Sequence, residues 1–451
     1  MYFRIYNSLS KKVETFVPLD PHNIKMYVCG PTVYDKAHLG NARPAVVFDI
    51  LYRLLKILYS KVTYVRNITD IDDKIYKTAI LREIGIKELT NKTIRMYHED
   101  MAAINVLKPD IEPKATEHIG DIIRFIERLI ENKNAYIVND HVYFDVTSFA
   151  EYGKLAGKNI VDLQSGSRIE ISANKKNPLD FVLWKPIDEE FNIGWDSPFG
   201  IGRPGWHIEC SAMSAKYLGG EFDIHGGGID LIFPHHENEI AQSCSLFQKA
   251  TMAKYWIHNG HLNVDGTKMS KSLGNFSTIQ DLLEKYDGEV IRFVFLMTHY
   301  SSPINFDQSM LDQAKNILDR WYNSIKNILY IDNFDTISYD VFEALLDNMN
   351  TPLAISRMYI IVDELNKQFD NEKANILVYT ARKFLGVLQK TPDSWFRSTK
   401  TDSVWIQNLI EQRNIAKKNR DFETSDRIRK ILMEEGIILE DTKSGTSWKK
   451  I

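Results

Sequence analysis

Residues 25–69 constrain the fold more than any other stretch of the chain. KMYVCG reads as a short strand that stops at Gly30-Pro31. After the loop PTVYDKAHLGNARP, the segment VVFDILYRLLKILY sets Val46, Val47, Ile50, Leu51, Leu54, Leu55 and Leu58 at helical spacing, one apolar stripe. VTYVRNIT then reads as a second buried strand. Strand, loop, helix, strand in so short a span is a βαβ unit, which demands a parallel sheet and a right-handed crossover. Such sheets bind ligands at the carboxyl ends of their strands, so the loop that carries His38 is the natural place for a site.

The chain is long enough, at 451 residues and 44% hydrophobic, to fold as several domains. A net charge of −4 gives no global support for nucleic-acid binding, so any such surface must be local. Three cysteines cannot make a disulfide framework and suit a reducing cytosol. The N-terminus has no secretory pattern, and no apolar run approaches a membrane span. The expectation is a soluble, cytoplasmic protein with no membrane partner.

The charged stretch 116–200 breaks the α/β alternation and reads as an insertion between residues 1–115 and 201–265. Sheet-like segments return at FDIHGGG and around YWIHNGHL. Beyond a connecting region, 266–310, the pattern turns helical through 311–398 and again in a small terminal unit, 399–451. Leu311, Ala314, Leu318, Trp321, Ile325 and Ile328 mark one long amphipathic helix. Thr351-Pro352 reads as a cap followed by proline at the first helical position. From Asp402 a two-helix segment closes the chain, with Gly436 as a helix stop.

Several motifs carry chemistry. HLGN, His38 to Asn41, opens the first helix, where terminal N–H groups and the dipole attract phosphate. Gly40 there lets a flat ring or phosphate approach the backbone. KMSKS, Lys268 to Ser272, presents two ammonium groups, Lys268 and Lys271, that suit charge developing on a transferring phosphoryl group; a solvated turn is the plain alternative. HGGGID places Gly226, Gly227 and Gly228 at a strand end, where a purine fits against bare backbone and Asp230 suits a ribose hydroxyl. A tight turn explains the same glycines. GKLAGKN, 153–159, has the wrong spacing for a P-loop.

PHHENEIAQSCS reads as a helix with Pro234 at its first position, so that His235 and Glu239 share one face at i and i+4. Cys29 stands at the end of the first strand and Cys210 at the start of a helix in RPGWHIECSAMS. All four can meet at the carboxyl edge of the sheet as a tetrahedral site suited to zinc. Two cysteines so far apart are otherwise ordinary buried residues. Cys244 reads as core, and His236 and Glu237 as caps or shields.

CGPTVYDKAHLGNARP, RPGWHIECSAM, FDIHGGGIDLIFPHHENEIAQ and KMSKSLGNF together resemble the cysteinyl-tRNA synthetase family of class I. NITDIDDK (67–74), NTPLAI (350–355) and the ending GIILEDTKSGTSW extend the likeness nearly end to end. HLGN stands where the class I HIGH signature is expected, with that family's usual asparagine. The resemblance implies a Rossmann-like α/β domain with an insertion, followed by α-helical C-terminal domains that read tRNA and its anticodon. It implies zinc held by Cys29, Cys210, His235 and Glu239, and a substrate thiol bound to that metal. It implies a cysteine pocket lined by Thr69, Trp206 and His225, with phosphates held by His38 and Asn41. ATP with Mg2+, L-cysteine and tRNA(Cys) are the implied partners of a monomer that works through a cysteinyl-adenylate. A cysteine ligase acting on an amino sugar is one rival, but such relatives resemble only the catalytic half. A non-catalytic zinc-containing RNA-binding relative is another. The run IAKKNRDFETSDRIRK, with Lys417, Lys418, Arg420, Arg427 and Arg429, suits phosphate contacts or a solvated face.

Overall fold

In the computed structural model, residues 2–158, 174–187, 193–264, 267–268, 277–396, 402–419, 421–434, 436–442 and 445–450 are described. A hairpin of β1 (Arg4–Asn7) and β2 (Lys12–Thr15) precedes the expected first strand, which is therefore β3 (Ile24–Val28). β3 ends at Val28, so Cys29 is the first residue beyond the strand rather than its last. Helix α1 (Leu39–Leu58) crosses to β4 (Val62–Arg66), and the two strands run parallel from Ile24↔Val62 to Val28↔Arg66. Four of five residues in each strand are buried, which is why both read as apolar runs without alternation.

The inserted region is a second layer. The helix Ile119–Glu131 leads into β5 (Ala135–Val138), β6 (His141–Phe144), β7 (Phe181–Pro186) and β8 (Gly202–Pro204), an antiparallel sheet in that order. Its last strand lies just past residue 200 because Trp184 and Lys185 pair with Pro204 and Arg203. The chain then returns to the first sheet through β9 (Phe222–Gly228) and β10 (Ala253–Asn259), giving the parallel order β10-β9-β3-β4. α1 lies close against β9. A Cβ on Gly226 would stand 2.2 Å from the Phe48 ring, so only glycine permits this approach. Short strands β11 (Leu262–Val264), β12 (Thr267–Lys268) and β13 (Ile304–Phe306) follow.

The helical region differs from expectation in three places. The helix from Gln308 ends at Ser324, leaving Ile325 as its cap and Ile328 outside, packed on the core from a loop. The helix Thr351–Lys367 is capped by Asn350, whose Oδ1 accepts from Leu353 N at 3.1 Å; Thr351 is its first residue, not its cap. After the helices Asp402–Lys418 and Phe422–Glu434, Gly436 at φ 74° ends the second helix, and a hairpin of β14 (Ile437–Thr442) and β15 (Gly445–Lys450) follows. The terminal unit has its own small core of Ile406, Ile410, Ile428, Leu432, Ile437 and Leu439. Among the described residues, no helix is long and apolar enough to cross a membrane.

One buried ion pair joins the sheet domain to the helices. Arg292, fully buried in the helix Gly288–Leu296, donates to Asp49 of α1 and to the carbonyls of Leu385, Ile104 and Asn105. Asp49 also accepts from Arg53 Nε at 2.8 Å and from Leu107 N at 2.9 Å. Removing the carboxylate strands the Arg292 charge in the interior, a loss of about 3–5 kcal/mol. Asp49→Ala is expected to lower the melting temperature sharply in a thermal scan, and Asp49→Asn to recover part of the loss through its remaining acceptor.

Candidate active site

The HLGN residues form a helix cap first and a phosphate site second. His38 Nδ1 accepts from Asn41 N at 3.3 Å, and Asn41 Oδ1 accepts from His38 N at 3.2 Å, a reciprocal capping box. With Nδ1 used as an acceptor, the proton of a neutral His38 sits on Nε2, which becomes the outward donor. The group that Gly40 admits is the His38 ring itself: a Cβ there would lie 2.8 Å from His38 Cε1. Asn41 commits its oxygen to the cap and keeps its amide nitrogen as a donor.

The four expected metal ligands converge. Cys29 Sγ lies 3.7 Å from Cys210 Sγ, 3.4 Å from His235 Nε2 and 3.4 Å from Glu239 Oε1, and His235 Nε2 lies 3.0 Å from that oxygen. Each comes from a different feature: the residue after β3, the helix Trp206–Leu218, the turn Ile232–His236, and the helix Glu237–Phe247. Pro234 belongs to that turn and not to the first helical position, because Phe233 is extended at φ −137°, ψ 130°. The i, i+4 proximity of His235 and Glu239 survives regardless. Burial opposes ionisation of Glu239, yet His225 and His235 outweigh it and hold the carboxyl well below its usual range. The hydrogen bond from Cys29 pulls the Cys210 thiol down to about 6, while burial and the same neighbour push Cys29 up.

The donor set fits zinc. A tetrahedral zinc with Zn–S bonds of about 2.3 Å has a sulfur–sulfur edge of about 3.8 Å, close to the observed separation. A second grouping, Cys29, His225, His236 and Glu239, is also compact. In it Cys29 Sγ stands 4.0 Å from His225 Nε2, longer than the sulfur–nitrogen distance to His235, and one of its two sulfurs is lost. His225 Nε2 instead meets the other Glu239 oxygen at 3.0 Å. His236 bonds His258 at 2.7 Å and lies against Gly227. Cys244 is buried core.

A cavity of about 360 Å3 opens above Cys29 and is lined by His38, Gly40, Asn41, Trp206, Gly228 and Asp230, among others. Trp206, 42% exposed, stacks on the His235 ring at 4.3 Å between centroids. Gly226 and Gly227 do not line this cavity; their missing side chains make room for Phe48 and His236. Thr69 and His225 are buried and do not line it: Thr69 Oγ1 accepts from Asn67 Nδ2 at 3.1 Å. Lys268 is placed by its backbone in β12 opposite Asn263, and Lys271 lies outside the described residues, as does Arg420.

Sequence reasoning missed three supporting residues. Asn67 holds the first loop by accepting from Gly30 N at 2.9 Å, and Cys210 Sγ lies 3.7 Å from the same oxygen. His207 meets His235 ring to ring, Nδ1 to Nδ1 at 2.9 Å. Arg43 donates to the carbonyls of Gly260, His261, Tyr300 and Ser302, binding α1 to the segment that leads to β12. Asn67 directly follows β4, whereas His207 and Arg43 lie in the opening turns of their helices, and that closeness to an element's boundary is the signal the sequence offers for them.

The family described as tRNA synthetases class I (C) catalytic domain matches residues 15–316. A cysteine–tRNA ligase of Rhodospirillum rubrum is 48% identical over 100% of both chains, and one of Ehrlichia ruminantium is 50% identical over 98% of each. Among solved structures, Mycobacterium tuberculosis methionyl-tRNA synthetase in complex with methionyl-adenylate shares the fold at a TM-score of 0.57 with 13% identity, covering 80% of this chain and 89% of that one. Matched from end to end by such relatives, the chain belongs to the cysteine–tRNA ligase family of class I aminoacyl-tRNA synthetases.

Proposed function

We propose that the chain attaches L-cysteine to tRNA(Cys) in two steps through a cysteinyl-adenylate, with the thiol selected at zinc held by Cys29, Cys210, His235 and Glu239. The observation that carries this reading is the pair of sulfurs at 3.7 Å with one imidazole and one carboxylate in contact, open to the cavity through half-buried Cys29. When bound, zinc supplies a soft Lewis acid that takes a thiolate readily and an alcohol poorly at neutral pH. This chain's residues then do the rest. His207 fixes the orientation of His235 through its ring nitrogen, and His225 keeps Glu239 ionised. Trp206 forms a flat wall beside the thiol site, and Thr69 braces its floor.

Above that floor, the Nε2 proton of His38 and the Asn41 amide are oriented toward phosphate oxygens. Lys268 and Lys271 offset charge passing to the leaving pyrophosphate. Gly228 and Asp230 suit the nucleoside, and Mg2+ accompanies ATP. The acyl group passes to the terminal adenosine of the tRNA. The helices after residue 310 and the unit from 399 onward give that tRNA its body contacts and anticodon reading. An amino-sugar ligase is disfavoured because relatives match the helical half as fully as the sheet domain. The chain acts as a monomer in the cytoplasm.

Two measurements check this. In elemental analysis of purified protein, Cys210→Ala and Glu239→Gln are expected to lose stoichiometric zinc while Cys244→Ala keeps it; retention by all three contradicts the assigned ligands. In cysteine-dependent ATP–pyrophosphate exchange, Lys271→Ala is expected to drop turnover by about 10²-fold or more with cysteine affinity unchanged. Loss of both together assigns the loop a structural role instead.

A further inference from the structure

Arg66 closes β4, and its partner in the parallel ladder, Val28, directly precedes Cys29. Its side chain is only 4% exposed, and it lines the same cavity as His38, Asn41, Trp206 and Asp230. Its donors are poorly answered by the protein. Nη2 lies 3.5 Å from Glu112 Oε1, longer than a charge-assisted hydrogen bond, and Glu112 gives its other oxygen to His98 at 2.5 Å. Nε and Nη1 are buried with no hydrogen-bond partner among the described residues. The rings of Tyr97 and Tyr64 lie 5.6 and 6.0 Å from the guanidinium carbon and offer it π faces.

Other buried arginines of this chain are better answered: Arg43, Arg203 and Arg413 each leave Nε alone without a hydrogen-bond partner among the described residues, against two nitrogens of Arg66. Arg43 donates to four carbonyls and Arg292 to three carbonyls and a carboxylate. A buried donor left unmade costs about 1–3 kcal/mol, and native interiors rarely tolerate two on one side chain without a partner to come. The cavity also has the matching surplus of charge. Its described lining includes the permanent cations Arg43, Arg66 and Lys74 against one carboxylate, Asp230. Arg43 is committed to carbonyls, and the Lys74 ammonium lies over the Tyr34 ring at 5.6 Å.

We propose that Arg66 is a substrate-binding residue that receives an oxyanion of the reactants, the carboxylate of the amino acid or a phosphate oxygen of the nucleotide. A buried guanidinium with Nε and Nη1 unanswered suits either, since a carboxylate and a phosphate both offer a negatively charged oxygen to such a donor. The assignment rests on the two-substrate reaction proposed above. It adds a guanidinium from β4 to the donors of HLGN on α1.

The test uses full-length, zinc-loaded wild type, Arg66→Met and Arg66→Lys, with calorimetric titration of three probes. L-cysteine and cysteamine share thiol and amine and differ in the carboxylate; inorganic pyrophosphate carries phosphate oxygens alone. If the carboxylate is the partner, Arg66→Met weakens cysteine about tenfold or more and leaves cysteamine unchanged. If phosphate is the partner, pyrophosphate weakens by a similar factor and both thiols are unaffected. In either case Arg66→Lys, which keeps the charge but not the fork, is expected to fall between. The proposal is overturned if all three affinities stay at wild-type values. It is also overturned if cysteamine weakens alongside the others with a lowered melting temperature, since that pattern marks a purely structural arginine. Should Arg66→Met not fold, the same comparison is read on Arg66→Lys. A wild-type chain that binds neither cysteine nor pyrophosphate refutes the underlying reaction and not the role of Arg66.

Discussion

The carboxylate of Glu239 sits with no solvent exposure between the imidazoles of His225 and His235, with a thiol 3.4 Å away. A charge buried this deeply is tolerated only when it is paired and hydrogen-bonded on both oxygens. That requirement fixes much of the surrounding structure. His225 must lie on β9 next to β3, His235 must lead the helix of Glu239, and Cys29 must emerge from β3 at the same height. The parallel sheet meets these demands because its strands end together at one edge.

A second linkage runs along that edge. His38 caps α1 and pairs through its backbone with Thr278, while Ile279 N donates to the Ala37 carbonyl at 2.9 Å. Arg43, one turn further along α1, holds the carbonyls of Gly260 and His261 at the start of the strand pair that carries Lys268. The segments on either side of the lysine loop are therefore both tied to the first helix.

The parts of this arrangement with a strong sequence period were the most legible. β3, α1 and β4 follow from an apolar run, a seven-residue stripe and another apolar run, and the structure has them in that order. The cluster of two thiols, an imidazole and a carboxylate was legible too, because a sheet edge is where distant residues meet. Local detail was less so. Asn350 takes the cap expected of Thr351, since its amide oxygen reaches the Leu353 N–H, a contest between neighbours that residue type alone does not decide. The terminal hairpin was hidden because IILEDT and GTSWKK are short and packed on a small separate core. The glycines of HGGG looked like a ligand wall, yet Gly226 and Gly227 serve Phe48 and His236, contacts that only the folded chain reveals.

In the proposed selection of cysteine, the amino-acid sulfur joins two protein sulfurs at one metal. Zinc-edge X-ray absorption on the full-length protein, with and without L-cysteine, tests it most directly. Two sulfur scatterers at about 2.3 Å are expected in the free protein, with a third on adding cysteine and no change with L-serine. A sulfur shell that stays at two in saturating cysteine would contradict it.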